Sequence, residues 1–127
     1  MNPDEFRIGD WVSYCHEPVK VAEMNLTYIT AWKKDGIFCN KLAYKAVDPI
    51  ILTGEVLEKN GWKKHSDYMS SINKLLYHRY SKEHVCLHEE TDGSFRVKLG
   101  NMYLYLNFIH QLQHLLWVLG KRGIELY

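Results

Sequence analysis

The sharpest chemical pattern in this chain is His84-Val85-Cys86-Leu87-His88. On a strand, alternate side chains share a face, so His84, Cys86 and His88 would point together. Imidazoles and a thiol at that spacing can grip zinc or a similar ion. A structural site needs a fourth ligand, and a catalytic one needs a third plus an open position. His78, Glu89 or Glu90 could supply it. The competing reading is the solvent side of a half-buried strand, and it needs no metal.

His110 and His114, four residues apart, form a second pair. On a helix they would share one face. Gln111 follows the first histidine, so the HExxH base is missing. A helical projection groups His110, His114 and Trp117 opposite an apolar arc, which places them outward. An outward tryptophan suggests a partner surface.

Cysteine chemistry needs a thiolate beside a base. Cys15 and His16 are sequence neighbours, so on a strand they would face apart. Cys39 and Cys86 could meet any histidine in space, but nothing in the sequence pairs them with one. Three widely spaced cysteines without a CxxC pair are not a disulfide framework and fit reduced thiols. His65-Ser66-Asp67 lacks a GxSxG elbow and reads more simply as capping residues. The glycines stand singly, so no phosphate-cradling loop is present.

The third candidate is aromatic and basic. Tyr103 and Tyr105 alternate with Leu104 and Leu106, and Arg96 and Lys98 alternate with Phe95, Val97 and Leu99. Gly100-Asn101 would join these runs as a tight hairpin. Both tyrosines and both cations then share the outward face. Cations beside aromatics can stack bases and hold phosphates, or form a protein contact.

The elements that must carry these residues follow from periodicity. Residues 7–48 read as short strands forming a small, curved antiparallel sheet of SH3-like type. Gly9-Asp10 and Asp35-Gly36 are turn signals, and Pro18 is expected to stop the first strand. Thr53 caps a short helix from Gly54 to Lys59, which Asn60-Gly61 ends. Trp62 then folds into the core. Ser66 or Asp67 could start a further helix through Met69, Ile72, Leu75 and Leu76. The runs from His78 to Glu90, Phe95 to Leu99 and Met102 to Leu106 make a β-meander. Met102, Leu104 and Leu106 would form its buried side. An amphipathic C-terminal helix spans 107–119, with Phe108, Ile109, Leu112, Leu115, Leu116 and Leu119 in one arc and Gly120 beyond its end. Ile124 and Leu126 could add a terminal strand. The fold class is α+β: one domain over 1–127, with sub-lobes 1–50 and 51–127.

Composition narrows the function. The chain has 127 residues and a formal net charge of +1. Through Trp62 there are seven Lys/Arg against nine Asp/Glu, and beyond it nine against six. Nucleic-acid modules usually show a stronger basic field. The polar, acidic N-terminus does not read as a signal peptide. No apolar run approaches the roughly 20 residues of a membrane helix. A cytoplasmic protein with no membrane partner is expected.

Three stretches resemble a group of small uncharacterised proteins carried by phages, prophages and mobile elements of Bacteroides-type gut bacteria. They are Arg7-Ile8-Gly9-Asp10-Trp11-Val12, the element from Leu52 to Trp62, and the His110-Gln111-Leu112-Gln113 helix running on to Leu126. The resemblance implies a mobile-element origin and a small α+β fold. It transfers no catalytic residues.

The resulting expectation is a non-enzymatic binding or adaptor protein with a protein partner and no cofactor. Its surface would comprise Arg96, Lys98, Tyr103, Tyr105, His110, His114 and Trp117. A nucleic-acid-binding accessory protein is the alternative, and a metal-dependent enzyme on His84, Cys86 and His88 the third reading.

Overall fold

The computed structural model describes residues 3–68, 76–90 and 92–126. It is α+β, with antiparallel strands in two sheets. The chain divides into two compact units: Met1–Ile51 with Phe108–Tyr127, and Leu52–Asn107. The first boundary falls where Pro49 ends the early strands. The C-terminal helix belongs with the first strands, not with the residues that immediately precede it.

In the first unit, β1 (Trp11–Tyr14), β2 (Glu17–Met24), β3 (Tyr28–Trp32), β4 (Phe38–Ala43) and β5 (Val47–Pro49) form a sheet ordered β4-β3-β2-β1-β5. A 3-10 turn, Tyr44–Ala46, connects β4 to β5. Val12, Val19, Val21, Ile29, Ala31, Leu42 and Val47 pack with Phe6 into one buried cluster. Cross-strand pairing brings them together: Val12 faces Val19, Val21 faces Ala31, and Ile29 faces Leu42.

The run from Trp11 to His16 is not one strand. Cys15 and His16 both have positive φ, 52° and 64°, and form a two-residue turn between β1 and β2. Type I′ hairpins need that conformation at both central residues. Pro18 does not stop a strand but lies inside β2, opposite Ser13. The pairing of β2 with β3 reaches only Lys20, so the missing N–H of Pro18 breaks no ladder there.

α2 (Ile109–Val118) packs against β1, with Ile109, Leu112, Leu115 and Leu116 buried. The Gln111 side chain accepts from the Phe108 amide at 3.1 Å, satisfying one donor at its start. Gly120, at φ 71°, ends it, and the Lys121 amide folds back to the Leu116 carbonyl at 2.7 Å. The segment after it is not a strand. Ile124 is nonetheless buried, fixed by Trp11 Nε1 donating to its carbonyl at 2.9 Å.

In the second unit, α1 (Gly54–Lys59) has the caps its sequence implies. Thr53 Oγ1 accepts from the Val56 amide, and the Trp62 amide returns to the Leu57 carbonyl past Gly61 at φ 83°. Trp62 is buried. β6 (Lys63–Tyr68), β7 (Leu76–Lys82), β8 (Val85–Glu89), β9 (Phe95–Leu99) and β10 (Met102–Leu106) follow in the order β10-β9-β8-β7-β6. Ser66 and Asp67 are therefore strand residues. Met69, Ile72 and Leu75 lie outside the described residues. Tyr80, Val85, Leu87, Phe95, Val97 and Leu106 are buried.

Candidate functional site

The histidine–cysteine pattern does not assemble. Glu83 and His84 have φ of 48° and 71° and form the turn between β7 and β8. His84 is thus exposed on a turn and shares no strand face with Cys86 and His88. Cys86 Sγ and His88 Nε2 lie 3.8 Å apart, facing Ser81 and Arg79 across the ladder. Among the described residues, no group of three or more His, Cys, Asp or Glu side chains is placed to hold a metal.

The α2 face read as outward turns inward at His110, while Trp117 stays exposed. His110 is 4 % exposed, Gln113 2 % and Asp10 0 %. A buried carboxylate must be hydrogen-bonded, and this one draws the polar helix face onto the turn before β1. His114 Nε2 donates to Asp10 Oδ2 at 2.6 Å, and the Arg7 amide donates to the same oxygen at 2.6 Å. Gln113 Nε2 donates to the Gly9 carbonyl at 2.6 Å, while its Oε1 accepts from the Ile124 amide. The rings of Phe108, His110, His114 and Trp117 follow one another at 5.7–5.8 Å between centroids.

Trp117 keeps 38 % of its surface exposed, but it is also a strut. A Cβ on Gly9, at φ 93°, would meet its ring at 3.3 Å, and one on Gly123 would meet its Nε1 at 3.0 Å. Among the described residues, Asp10 Oδ1 and His110 Nδ1 are buried without a hydrogen-bond partner. Burial pushes the Asp10 carboxyl above its ordinary value, with the Arg7 amide and His114 opposing. Burial likewise holds His110 below its ordinary value, with Asp10 opposing. The cluster can store a proton and clamp the turn. Glu5 is a further charged group that acts on His110.

The hairpin of β9 and β10 is organised differently. Tyr105 faces Arg96 and Tyr103 faces Lys98 in register. Arg96 reaches diagonally over the Tyr103 ring, 4.8 Å from its centroid, and its Nε lies 3.2 Å from Glu90 Oε1. Lys98, Tyr103 and Tyr105 are exposed. The expected buried side of β10 is not buried along its length. Exposure falls from 74 % at Met102 through 42 % at Leu104 to 2 % at Leu106. The hairpin tip therefore projects beyond the packing that covers its base, and four consecutive large side chains, Met102 to Tyr105, meet solvent.

A pocket of about 500 Å3 in the second unit was not foreseen. Glu55 and Glu58 of α1 line it with Lys64, His78, Tyr80 and Glu89. Its residues are scattered through the sequence, and only the strand order gathers them. The one local signal was Gly54: a methyl there would overlap the Tyr80 hydroxyl. Burial, then Glu89 and Glu58, pushes the Tyr80 phenol above its ordinary value.

No helix of the described residues is long and apolar enough to cross a membrane. Comparison with known protein families, curated proteins and solved structures finds no match.

Proposed function

We propose that this chain is a binding or adaptor protein without catalytic activity, and that its contact surface is the β9–β10 hairpin. One observation carries the reading. β10 is an edge strand with four successive large exposed apolar or aromatic side chains and no charge. Such a strand presents open backbone groups and apolar area together, the combination that strand-adding partners use. His110 and His114 leave the proposed surface because they are tied to the core. Arg96, Lys98, Tyr103 and Tyr105 stay.

The first unit fits an SH3-like sheet in this reading. Its strand order β4-β3-β2-β1-β5 and the 3-10 turn before the last strand support that assignment. A phage or mobile-element origin, and action in a bacterial cytoplasm, rest on the three resembling stretches.

The test is capture of partners from a bacterial lysate by the full chain, by Tyr103→Ala and by Tyr105→Ala. Partners lost with both variants support the hairpin. An identical set of partners with all three proteins removes it. Nucleic acid is the second reading, favoured by the Arg96–Tyr103 stack and exposed Lys98. Glu90 already balances Arg96, which weakens it. It requires binding that falls steeply with salt. No binding to single or double strands at low salt ends it.

A further inference from the structure

Sheet edges invite pairing with other chains, and proteins blunt them with charge, proline, bulges or shortness. The other described edges of this protein are blunted. β5 is three residues long and ends in Pro49. β4 carries Lys41 at φ 55°, within the irregularity where its register with β3 shifts. β6 includes the exposed Lys63 and Lys64. β10, Met102-Tyr103-Leu104-Tyr105-Leu106, has none of these devices.

The open backbone groups can be assigned. Gly100, at φ 62°, starts a two-residue turn closed by the Leu99–Met102 pair. Met102, Leu104 and Leu106 then direct their N–H and C=O groups toward β9, and Tyr103 and Tyr105 direct theirs to the open edge. The same alternation turns the Asn107 carbonyl outward, where the Leu52 amide takes it at 2.9 Å. That bond closes the C-terminal end of the edge and leaves Asn101 to Tyr105 open.

We infer that the occupant of this edge is a second copy of the chain, paired antiparallel to β10 about a twofold axis at Tyr103. The inference rests on the hairpin being the contact surface, and it names the partner. A strand running the other way places Tyr103 opposite Tyr103, Met102 opposite Leu104, and Asn101 opposite Tyr105. One face of the paired strands is then apolar on both sides, and the other carries tyrosines. Because the strand has no charge, reversal brings no like charges together. Centring on Tyr103 also keeps the second copy clear of Leu52. The contact is isologous and closed, so it makes a dimer and not a filament.

Sedimentation velocity of the full chain at roughly 100 μM, a range suited to a small interface, is the first measurement. Wild type sediments as a dimer. Tyr103→Lys and Tyr103→Glu each sediment as monomers, because like charges then meet at the axis. An equimolar mixture of the two regains the dimer, a rescue that misfolding cannot produce. In a Cys15→Ser background, Tyr103→Cys oxidises to a covalent dimer, whereas Tyr105→Cys, facing Asn101, does not. Circular dichroism checks that each variant is folded, and the cysteine pair decides the matter if a charged variant is not.

A monomeric wild type, dimers in both charged variants, or a mixture that stays monomeric overturns the inference. If wild type is monomeric yet Tyr103→Lys loses a captured partner, self-pairing fails and the hairpin surface stands. If it is monomeric and no partner is lost, both fall.

Discussion

The polar face of α2 and the outer strand β10 look alike in sequence and behave in opposite ways. Each alternates large apolar residues with aromatic or polar ones, and each pattern alone assigns the second kind to solvent. In the first unit, Asp10, His110 and Gln113 are buried, so the polar face closes onto the turn before β1. In the second unit, Met102 to Tyr105 stay exposed, apolar residues included. The contrast separates amphipathicity from orientation. A helix face turns inward when a buried group elsewhere needs its hydrogen bonds. A strand face stays open when nothing beyond its base covers it.

The sharpest way to break this comparison is to remove the group that closes the first surface. Asp10→Ala strips the acceptor from His114 and the Arg7 amide, both at 2.6 Å. Breaking a buried hydrogen-bonded pair costs about 3–5 kcal/mol. His114 is partly exposed and recovers some hydration, so about 3 kcal/mol is expected in urea denaturation. A loss below about 1 kcal/mol, the level of an ordinary surface pair, would mean that the clamp does not hold the helix. Gly9→Ala acts on the same turn through sterics. It forces a side chain into φ 93° and against Trp117 at 3.3 Å. Strain of that kind costs about 1–3 kcal/mol. Thermal melting of Gly9→Ala in wild-type and Trp117→Ala backgrounds separates the parts, since only the ring contact disappears in the second.

Local signals carried much of the fold. Thr53, Gly61 and Trp62 place α1 to the residue, because caps act within one turn. Gly100 and Gly120 end their elements for the same reason. What stayed hidden was non-local or conformationally unusual. Cys15-His16 and Glu83-His84 are left-handed turns without glycine or asparagine, so the runs around them read as unbroken strands. That misreading created the His84, Cys86, His88 face. The Asp10–His114 bond spans 104 positions. No periodicity within α2 could reveal that its histidines had a partner near the N-terminus. The pocket beside Tyr80 was hidden likewise, being assembled by sheet order.

Titration sharpens the contrast next. Burial holds His110 below its unfolded value of 6.5. Below pH 6.5 the unfolded chain therefore binds a proton that the folded chain resists, and stability falls as pH drops through that window. Asp10 acts in the opposite sense. Its raised value makes the folded state the better proton binder, so it favours folding as pH falls toward 3.8. His110→Gln should flatten the decline just below pH 6.5 while the neighbouring Asp10, His114 and Glu5 stay in place. Denaturation midpoints at pH 7.5, 6.5 and 5.5, chosen to bracket that window, read the slope. Equal slopes in the two proteins would show that His110 is not the group resisting protonation. Substitutions on the open hairpin should leave the midpoints unmoved over the same range.

The smallest expected effect is the most discriminating. Tyr105→Ser alters a side chain that is 56 % exposed on an edge strand. Surface changes away from caps, cores and networks usually stay within about 0.5 kcal/mol. The loss of its cross-strand contact with Arg96 adds a few tenths of a kcal/mol. Urea denaturation of the variant, read on protein dilute enough to be monomeric, should therefore overlay wild type, while partner capture or self-association at higher concentration weakens. A surface kept for contact shows that signature, function lost with stability intact. A cost near 2 kcal/mol would instead place Tyr105 inside a packed interface of its own chain. The hairpin would then be as closed as α2, and the difference between the two regions would disappear.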